Sequence, residues 1–432
     1  MSKNPNLKII AAFSMVLILL LSGCLNSLPD VVDGVFESPN GAGTLIVEDG
    51  VRLLKLSGTN YEMGYAHGYL LAEEILYSID NFVFYLALLS GRSYQELCED
   101  MNHIDWENSY GEELQGMYDG ICEKLPANKR LVYPAGRPKQ LEPIDLQILN
   151  SVSDWGCSSF SAWGNATDDG SVIYARNLDY FAGKDEAFKN MHVLVSYDDG
   201  EHNRWVTASV TGFIGCITGM NEHGLTLGLQ DTNQFPPTQE NDIVPRCIIL
   251  RHIAEDAQTN WIPEDIADYM ENYQGYLGMN LHVTFPSTGR TDDEIAAIIE
   301  YDGNSTQTDG KSTLRSPSDN SLLSYGDVFD QRLNYTYAII TTNHYLKRKT
   351  FISQESAGRY VTIKEGLVEA KADGNVNISE SVDIMRSVGG SGTVHTTVFE
   401  TDEMILHFYL AEPGFGGFDC TPVTYEFEEM FL

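Results

Sequence analysis

The order of patterns along the chain predicts a layered α+β body. Three observations carry that expectation. Apolar residues recur at helical spacing before residue 157, strand-like alternation follows as far as residue 232, and a helical pair at 245–273 separates it from further strands. With 432 residues, 43% of them hydrophobic, the chain can bury a large core. No internal repeat, and no linker after residue 60, marks a second independent domain.

The first segment reads as a targeting signal. Lys3 and Lys8 precede an apolar run from Ile9 to Leu21, too short for a comfortable membrane span. Leu21-Ser22-Gly23-Cys24 follows and resembles a lipobox, which implies a signal peptide at 1–24, lipid attachment at Cys24 and an extracytoplasmic, membrane-anchored protein. Residues 25–45, with Pro29, Pro39, Asn40 and several glycines, are expected to form a tether. TLIVEDGVRLLKLSG then reads as a hairpin turning at Asp49-Gly50. Tyr61-Glu62-Met63-Gly64-Tyr65-Ala66-His67-Gly68 runs into a helix whose apolar positions include Leu70, Leu71, Ile75, Ile79 and Phe82, and His67 reads as a helix-packing histidine. Further helical patches, broken at Pro126, Pro134 and Pro138, fill residues 93–150.

The decisive stretch is DWGCSSFSAWGNATDDGSVIYARNLDY, Asp154 to Tyr180. Gly156-Cys157 opens a strand, Asp168-Asp169-Gly170 turns it, and a second strand ends in Arg176-Asn177-Leu178-Asp179. A hairpin of that length returns Arg176 and Asp179 to the cysteine. A guanidinium, always cationic, favours a thiolate, and a carboxylate can orient a base.

After Asp179 the chain is strand-rich, with a turn at Asn221-Glu222-His223-Gly224-Leu225 where the glycine is expected at positive φ. PRCIILRHIAEDAQTNWIPEDIADYMENY gives two helices with Asn260 and Pro263 between them. Gly303 to Gly326, rich in Ser, Thr, Asp and Asn, is expected to be a loop. NYTYAIITTNHY is a buried strand ending in Thr342-Asn343-His344, and the tail holds two long strands around Glu400-Thr401-Asp402.

Gly156-Cys157 with Arg176-Asn177-Leu178-Asp179 resembles the N-terminal-nucleophile (Ntn) hydrolases of the penicillin V acylase/choloylglycine hydrolase type. More narrowly, it resembles the acyl-coenzyme A:6-aminopenicillanate acyltransferase (C45 peptidase) family, related to acid ceramidase. The Glu62-x-Gly64-x-x-His67-Gly68 stretch, the Thr342-Asn343 strand end and Ser356-x-x-Arg359-Tyr360 resemble the same family. The resemblance implies a four-layer αββα Ntn-hydrolase sandwich, with residues 46–156 a mainly helical pro-segment and 157–432 the catalytic body. It implies self-cleavage of the Gly156–Cys157 bond, Cys157 as nucleophile and its new α-amine as base. Asp179 would orient the amine, Arg176 and Arg359 would stabilise negative charge, and Asn343 would polarise the scissile carbonyl. Asp231 falls where relatives carry an oxyanion-hole Asn; an ionised carboxylate only accepts hydrogen bonds, so a hold on the terminal amine is its alternative role. The implied substrate is a small linear N-acyl amide. An acyltransferase, a solute-binding surface lipoprotein and a cysteine enzyme using His223, His344 or His395 as base remain open on sequence.

Net charge of −35 argues against nucleic acid or anionic lipid surfaces as partners. Seven cysteines, five without a proposed lipid or catalytic role, are no disulfide framework; a Cys98–Cys122 bridge is the one pairing entertained. No CxxC or His-rich spacing suggests a metal, and no cofactor is expected. Asn165, Asn304, Asn334 and Asn377 stand in sequons.

Overall fold

The computed structural model describes residues 26–151, 156–180, 183–232, 242–303, 310–319, 337–348, 351–373 and 375–432. Cys24 and the signal segment lie outside them. Strands β1 (Gly34–Glu37), β2 (Gly43–Glu48) and β3 (Val51–Ser57) come first, and β4 (Leu131–Val132) and β5 (Lys139–Gln140) form a small separate pair. The predicted hairpin is β6 (Gly156–Ala162) and β7 (Ile173–Asp179), with β6 ending earlier than its strand-like sequence because Gly164–Ala166 forms a 3₁₀ turn. Next come β8 (His192–Asp198), β9 (Trp205–Val210), β10 (Thr218–Asn221), β11 (Thr226–Asp231), β12 (Met279–Thr284), β13 (Ala296–Tyr301) and β14 (Ser312–Arg315). The last are β15 (Ala338–Thr341), β16 (Thr393–Glu400), β17 (Ile405–Leu410) and β18 (Val423–Glu426).

Among the described residues, two large sheets are built from them. The ten-stranded sheet runs β1-β2-β3-β8-β9-β10-β11-β12-β13-β14, and the six-stranded sheet runs β15-β6-β7-β16-β17-β18. Within the large sheet, β3 and β8 pair parallel, and the other neighbours are antiparallel. Helices α1 (Asn60–Leu70), α2 (Glu107–Lys124), α3 (Arg246–Asp256) and α4 (Pro263–Met270) belong to the ten-stranded sheet's outer side, where α1 packs on β2 and β3, α2 on α1, and α3 on β10 and β11. Helices α5 (Gln354–Asp373) and α6 (Ile378–Val388) cover the six-stranded sheet through β15, β6, β7 and β16. The sheets meet face to face through β11 with β6 and β13 with β15. The order of layers is therefore α, β, β, α.

Alternation along β6 sets this geometry. Phe160 and Ala162 pack with Tyr360, Ile363 and Leu367 of α5, whereas Ser159 and Ser161 face the other sheet and hydrogen-bond His282 of β12. Cys157 shares the phase of Ser159, so its side chain lies between the sheets. Tyr174, Phe399 and Phe408 meet Leu194, Val206 and Met220 in the apolar part of that interlayer.

Three expectations change. Of the expected tether, residues 26–45 are built into the body, supplying β1 and the start of β2, because Val35 and Ile46 find strand partners. The hairpin expected at Asp49-Gly50 is β2 with β3, and β3 is also the parallel partner of β8. Ser312–Arg315, inside the expected loop, forms edge strand β14 against β13; its polar composition suits a half-exposed edge. Cys98 and Cys122 are free thiols, as are the other four described cysteines. The expected positive φ at Gly224 is present, at +78°.

Candidate active site

Cys157 is fully buried, and each of its polar atoms is engaged by a side chain. Its N–H donates to Asn343 Oδ1 at 3.1 Å, its carbonyl oxygen accepts from Arg359 Nη1 at 2.7 Å, and Arg176 Nη2 donates to its Sγ at 2.8 Å. The ladder explains why the N–H is free for a side chain. Pairing of β6 with β15 begins only at Ser159, opposite Thr341, so Asn343 sits just past the end of β15, beside the cysteine.

Arg176 lies two residues from Leu178, the register partner of Cys157, on the same inward face. Its guanidinium also donates to Thr218 Oγ1 and to the Leu229 carbonyl, tying β7 to β10 and β11. Gly228 makes room for it: a Cβ there would stand 2.9 Å from Arg176 Cδ. Arg359, one helical turn into α5, reaches down from the helical layer. It donates to Ser158 Oγ and to Asn343 Oδ1 (2.7 Å), lies 3.8 Å from Asp179 Oδ2, and pairs with Glu355. Asp179 faces Gly156 across the hairpin and accepts from Thr393 Oγ1, its neighbour on β16.

Burial pushes the Cys157 thiol up to about 12, against the lowering pull of Arg176 and Arg359; Asp179 adds to the rise. Desolvation therefore outweighs two guanidiniums, and the thiol of the intact chain is protonated at neutral pH. Asp179 is also raised, first by burial, with Arg359, Thr393 and Arg176 opposing.

Five of the six predicted residues thus converge: Cys157, Arg176, Asp179, Asn343 and Arg359. Two details differ from expectation. Asn343 turns its carbonyl oxygen to Cys157 and Arg359, while its Nδ2 donates to the Asp231 carbonyl at 2.7 Å. Two donors on one oxygen hold the amide this way, so it meets an N–H of Cys157 as an acceptor. Asp231 joins the site through that backbone carbonyl, and its carboxylate is bound by Arg246 of α3, which disfavours the amine-holding role expected of it. The three candidate histidines do not form a dyad with the thiol on the contacts seen. His223 donates its backbone N–H to Asn221 Oδ1 in a turn, His344 bonds Thr342 and Ser356, and His395 meets His192 edge-on. Sequence reasoning missed Ser158 and Thr393. Ser158 had a signal in its adjacency to the cysteine, whereas Thr393 becomes visible only through the β7–β16 register.

Among the described residues, no group of three or more His, Cys, Asp or Glu side chains could hold a metal ion, and no helix is long and apolar enough to cross a membrane.

Comparison with known proteins bears on this constellation. The profile of the acyl-coenzyme A:6-aminopenicillanic acid acyl-transferase family matches residues 165–284. This segment is similar to the acyl-transferase family. It contains Arg176, Asp179 and Asp231, and lies between Cys157 on one side and Asn343 and Arg359 on the other. The chain is also similar to two curated relatives. The chain is 27% identical over 212 residues to an uncharacterized protein of Archaeoglobus fulgidus, covering 43% of this chain and 34% of that one. It is 25% identical over 195 residues to protein dcd1B of Dictyostelium discoideum, covering 40% and 36%. The chain thus spans about a third of the length of these relatives. Among solved structures it is similar to a Caenorhabditis elegans N-acylethanolamine-hydrolyzing acid amidase ortholog, at 16% identity and a TM-score of 0.40, over 57% of this chain and 93% of that one.

Proposed function

We propose that the protein is a self-processing N-terminal-cysteine amidohydrolase that cleaves a small linear N-acyl amide through a thioester. The observation that carries this reading is the capture of all three polar atoms of Cys157 by Asn343, Arg359 and Arg176. Any buried backbone N–H needs an acceptor, and one supplied by a side chain past the end of the ladder can stay in place when that nitrogen becomes a free amine.

In the first step Cys157 Sγ attacks the Gly156 carbonyl carbon, the C–S bond forms and the Gly156–Cys157 C–N bond breaks. Water then hydrolyses the thioester, leaving a Gly156 carboxylate and a free Cys157 amine and thiol. An unperturbed α-amine titrates near 7.7–8.0 and can take the thiol proton at neutral pH. Asn343 Oδ1 stays as its acceptor, with Asp179 as a nearby carboxylate that Thr393 and Arg359 hold in place. The thiolate, stabilised by Arg176, attacks the substrate carbonyl; the tetrahedral intermediate expels the amine, which carries off the proton. Water, deprotonated by the α-amine, releases the acid.

The family match favours a second reading, in which an amine replaces water and the acyl group is transferred. Incubating processed protein with N-acyl amides, with and without a primary amine, tests both. Acid as the product, with an acyl mass on the peptide beginning at Cys157, supports the hydrolase. New amide in preference to acid supports the transferase, and neither product with an inert Cys157 contradicts the proposal.

The same reading includes a signal peptide removed before Cys24, a lipid on Cys24, and an extracytoplasmic membrane-anchored enzyme. It rests on the Leu-Ser-Gly-Cys sequence, which lies outside the described residues.

A further inference from the structure

The chain is clamped to the body almost as soon as it emerges from Cys24. Asn26 Nδ2 donates to Asp80 Oδ2 at 2.8 Å and to the Leu131 carbonyl at 3.0 Å, and the Asn26 N–H reaches the same carboxylate at 3.4 Å. Asn81 Nδ2 returns a bond to the Asn26 carbonyl at 2.9 Å, and the Tyr133 N–H takes the other Asp80 oxygen at 2.7 Å. Asp80 is 0% exposed and Asn81 5%. Both project from a π-helical turn, Ile79–Phe84, a rare geometry that brings two consecutive polar side chains onto one strap. A carboxylate withdrawn from water is costly unless its hydrogen bonds are made, and here they fix the start of the mature chain.

Directly after the clamp runs an exposed apolar strip. Leu28, Val31, Val32, Val35 and Phe36 fall within nine residues, at 39%, 41%, 61%, 66% and 42% exposure. Val35 and Phe36 lie on β1, the edge of the ten-stranded sheet, where their side chains leave opposite sides of the strand and both stay exposed along the edge.

We propose that this strip is a membrane-contact face, set against the bilayer because the Asn26–Asp80 clamp leaves only two residues, about 7 Å of chain, between the body and the lipid on Cys24. This rests on the lipid attachment proposed above. The bilayer is the occupant the chain length imposes: an anchor this short brings its own membrane to the strip, and nothing comparable brings a protein. Asp30, Asp33 and Glu37 alternate with the apolar residues, so the contact suits zwitterionic headgroups and is weakened by anionic ones.

The test uses the full chain produced in a lipidating host, with intact mass reporting the Cys24 modification, and phosphatidylcholine vesicles. Hydrogen exchange of peptides covering 28–37 is compared for vesicle-bound protein and for the Cys24→Ser chain with the same vesicles. The expected result is loss of exchange in these peptides on vesicles only. Val32→Glu with Val35→Glu should keep the lipid, the clamp and vesicle flotation but lose that protection, and Asp80→Ala should likewise float unprotected. Adding anionic lipid should reduce the protection. A lipidated parent that floats yet exchanges at 28–37 as fast as the Cys24→Ser chain overturns the contact face and leaves the anchor standing. A parent with no lipid mass on Cys24 overturns the anchor itself, and the contact face with it.

Discussion

Arg176 shows what one buried cation does for this site. It lies between the sheets with no exposed surface and binds Cys157 Sγ, Thr218 and the Leu229 carbonyl at once. A lysine keeps the charge but has no planar fork to serve all three. Arg176→Lys should therefore slow appearance of the Cys157 terminus at least tenfold, about the loss of one hydrogen bond to a charged group, as followed by denaturing gel. An unchanged rate would remove Arg176 from the chemistry. The residue types at the site were legible because a thiol, a guanidinium and a carboxylate on a hairpin can be paired by counting. The orientation of the Asn343 amide was not, since it depends on Arg359 arriving from a helix sixteen residues further on and on the Asp231 carbonyl from another sheet. Nor was the Arg246 grip on Asp231, which arises only when α3 packs on β11.

The clearest element-scale feature is the contact of α1 with α2. Ideal Cβ atoms on Gly64 and Gly68 would lie 2.0 Å from the carbonyl oxygens of Glu113 and Met117, and on Gly116 and Gly120 about as close to those of Tyr61 and Tyr65. Each helix presents Gly-x-x-x-Gly, and the two backbones touch. The Glu62–Gly68 stretch is thereby accounted for residue by residue. Glu62 closes a capping box with Thr59, the two glycines admit α2, and His67 Nε2 accepts the Gly212 N–H at 3.0 Å. Gly68→Ala should cost about 1–3 kcal/mol or more in urea unfolding, as overpacking against a rigid backbone does. Gly111→Ala on the same α2, with nothing within 4 Å, should gain about 0.5–1 kcal/mol. Equal effects would contradict the close crossing. Helical spacing made α1 legible; its glycines carried no sign of their partner, because the mate lies some fifty residues away.

At the scale of the molecule, five histidines among the described residues are buried and held neutral. Burial lowers His67, His192 and His344 to about 3, and His282 and His395 well below their usual value. Each folded pKa is below the unfolded value of about 6.5, so this stability is complete above pH 6.5 and is lost as pH falls toward 3. Asp80 and Glu113, both raised to about 7 by burial, act in the opposite sense: their contribution is full below about pH 4 and is lost as pH rises through 7. The two sets oppose each other between pH 4 and 6.5, and one substitution separates them. His67→Gln retains an acceptor for Gly212, and should flatten the acid limb of the stability curve by up to about 1.4 kcal/mol per pH unit. Parallel curves for parent and variant would contradict a neutral, buried His67. At this scale the layer order was legible from the alternation of helical and strand patterns, whereas the union of β3 with β8 was not, since a parallel pairing 140 residues apart leaves no local trace.

That union bears on the central claim, because a chain cut before Cys157 would still be held together by β3 on β8 and by the bond of the Gly212 N–H to His67 of α1. The most direct measurement is intact mass with N-terminal sequencing of the purified protein, under native and denaturing conditions. The account predicts two fragments that co-elute natively and separate in denaturant, one of them beginning Cys157-Ser158-Ser159-Phe160. A single chain that stays intact through long incubation at several pH values would contradict it.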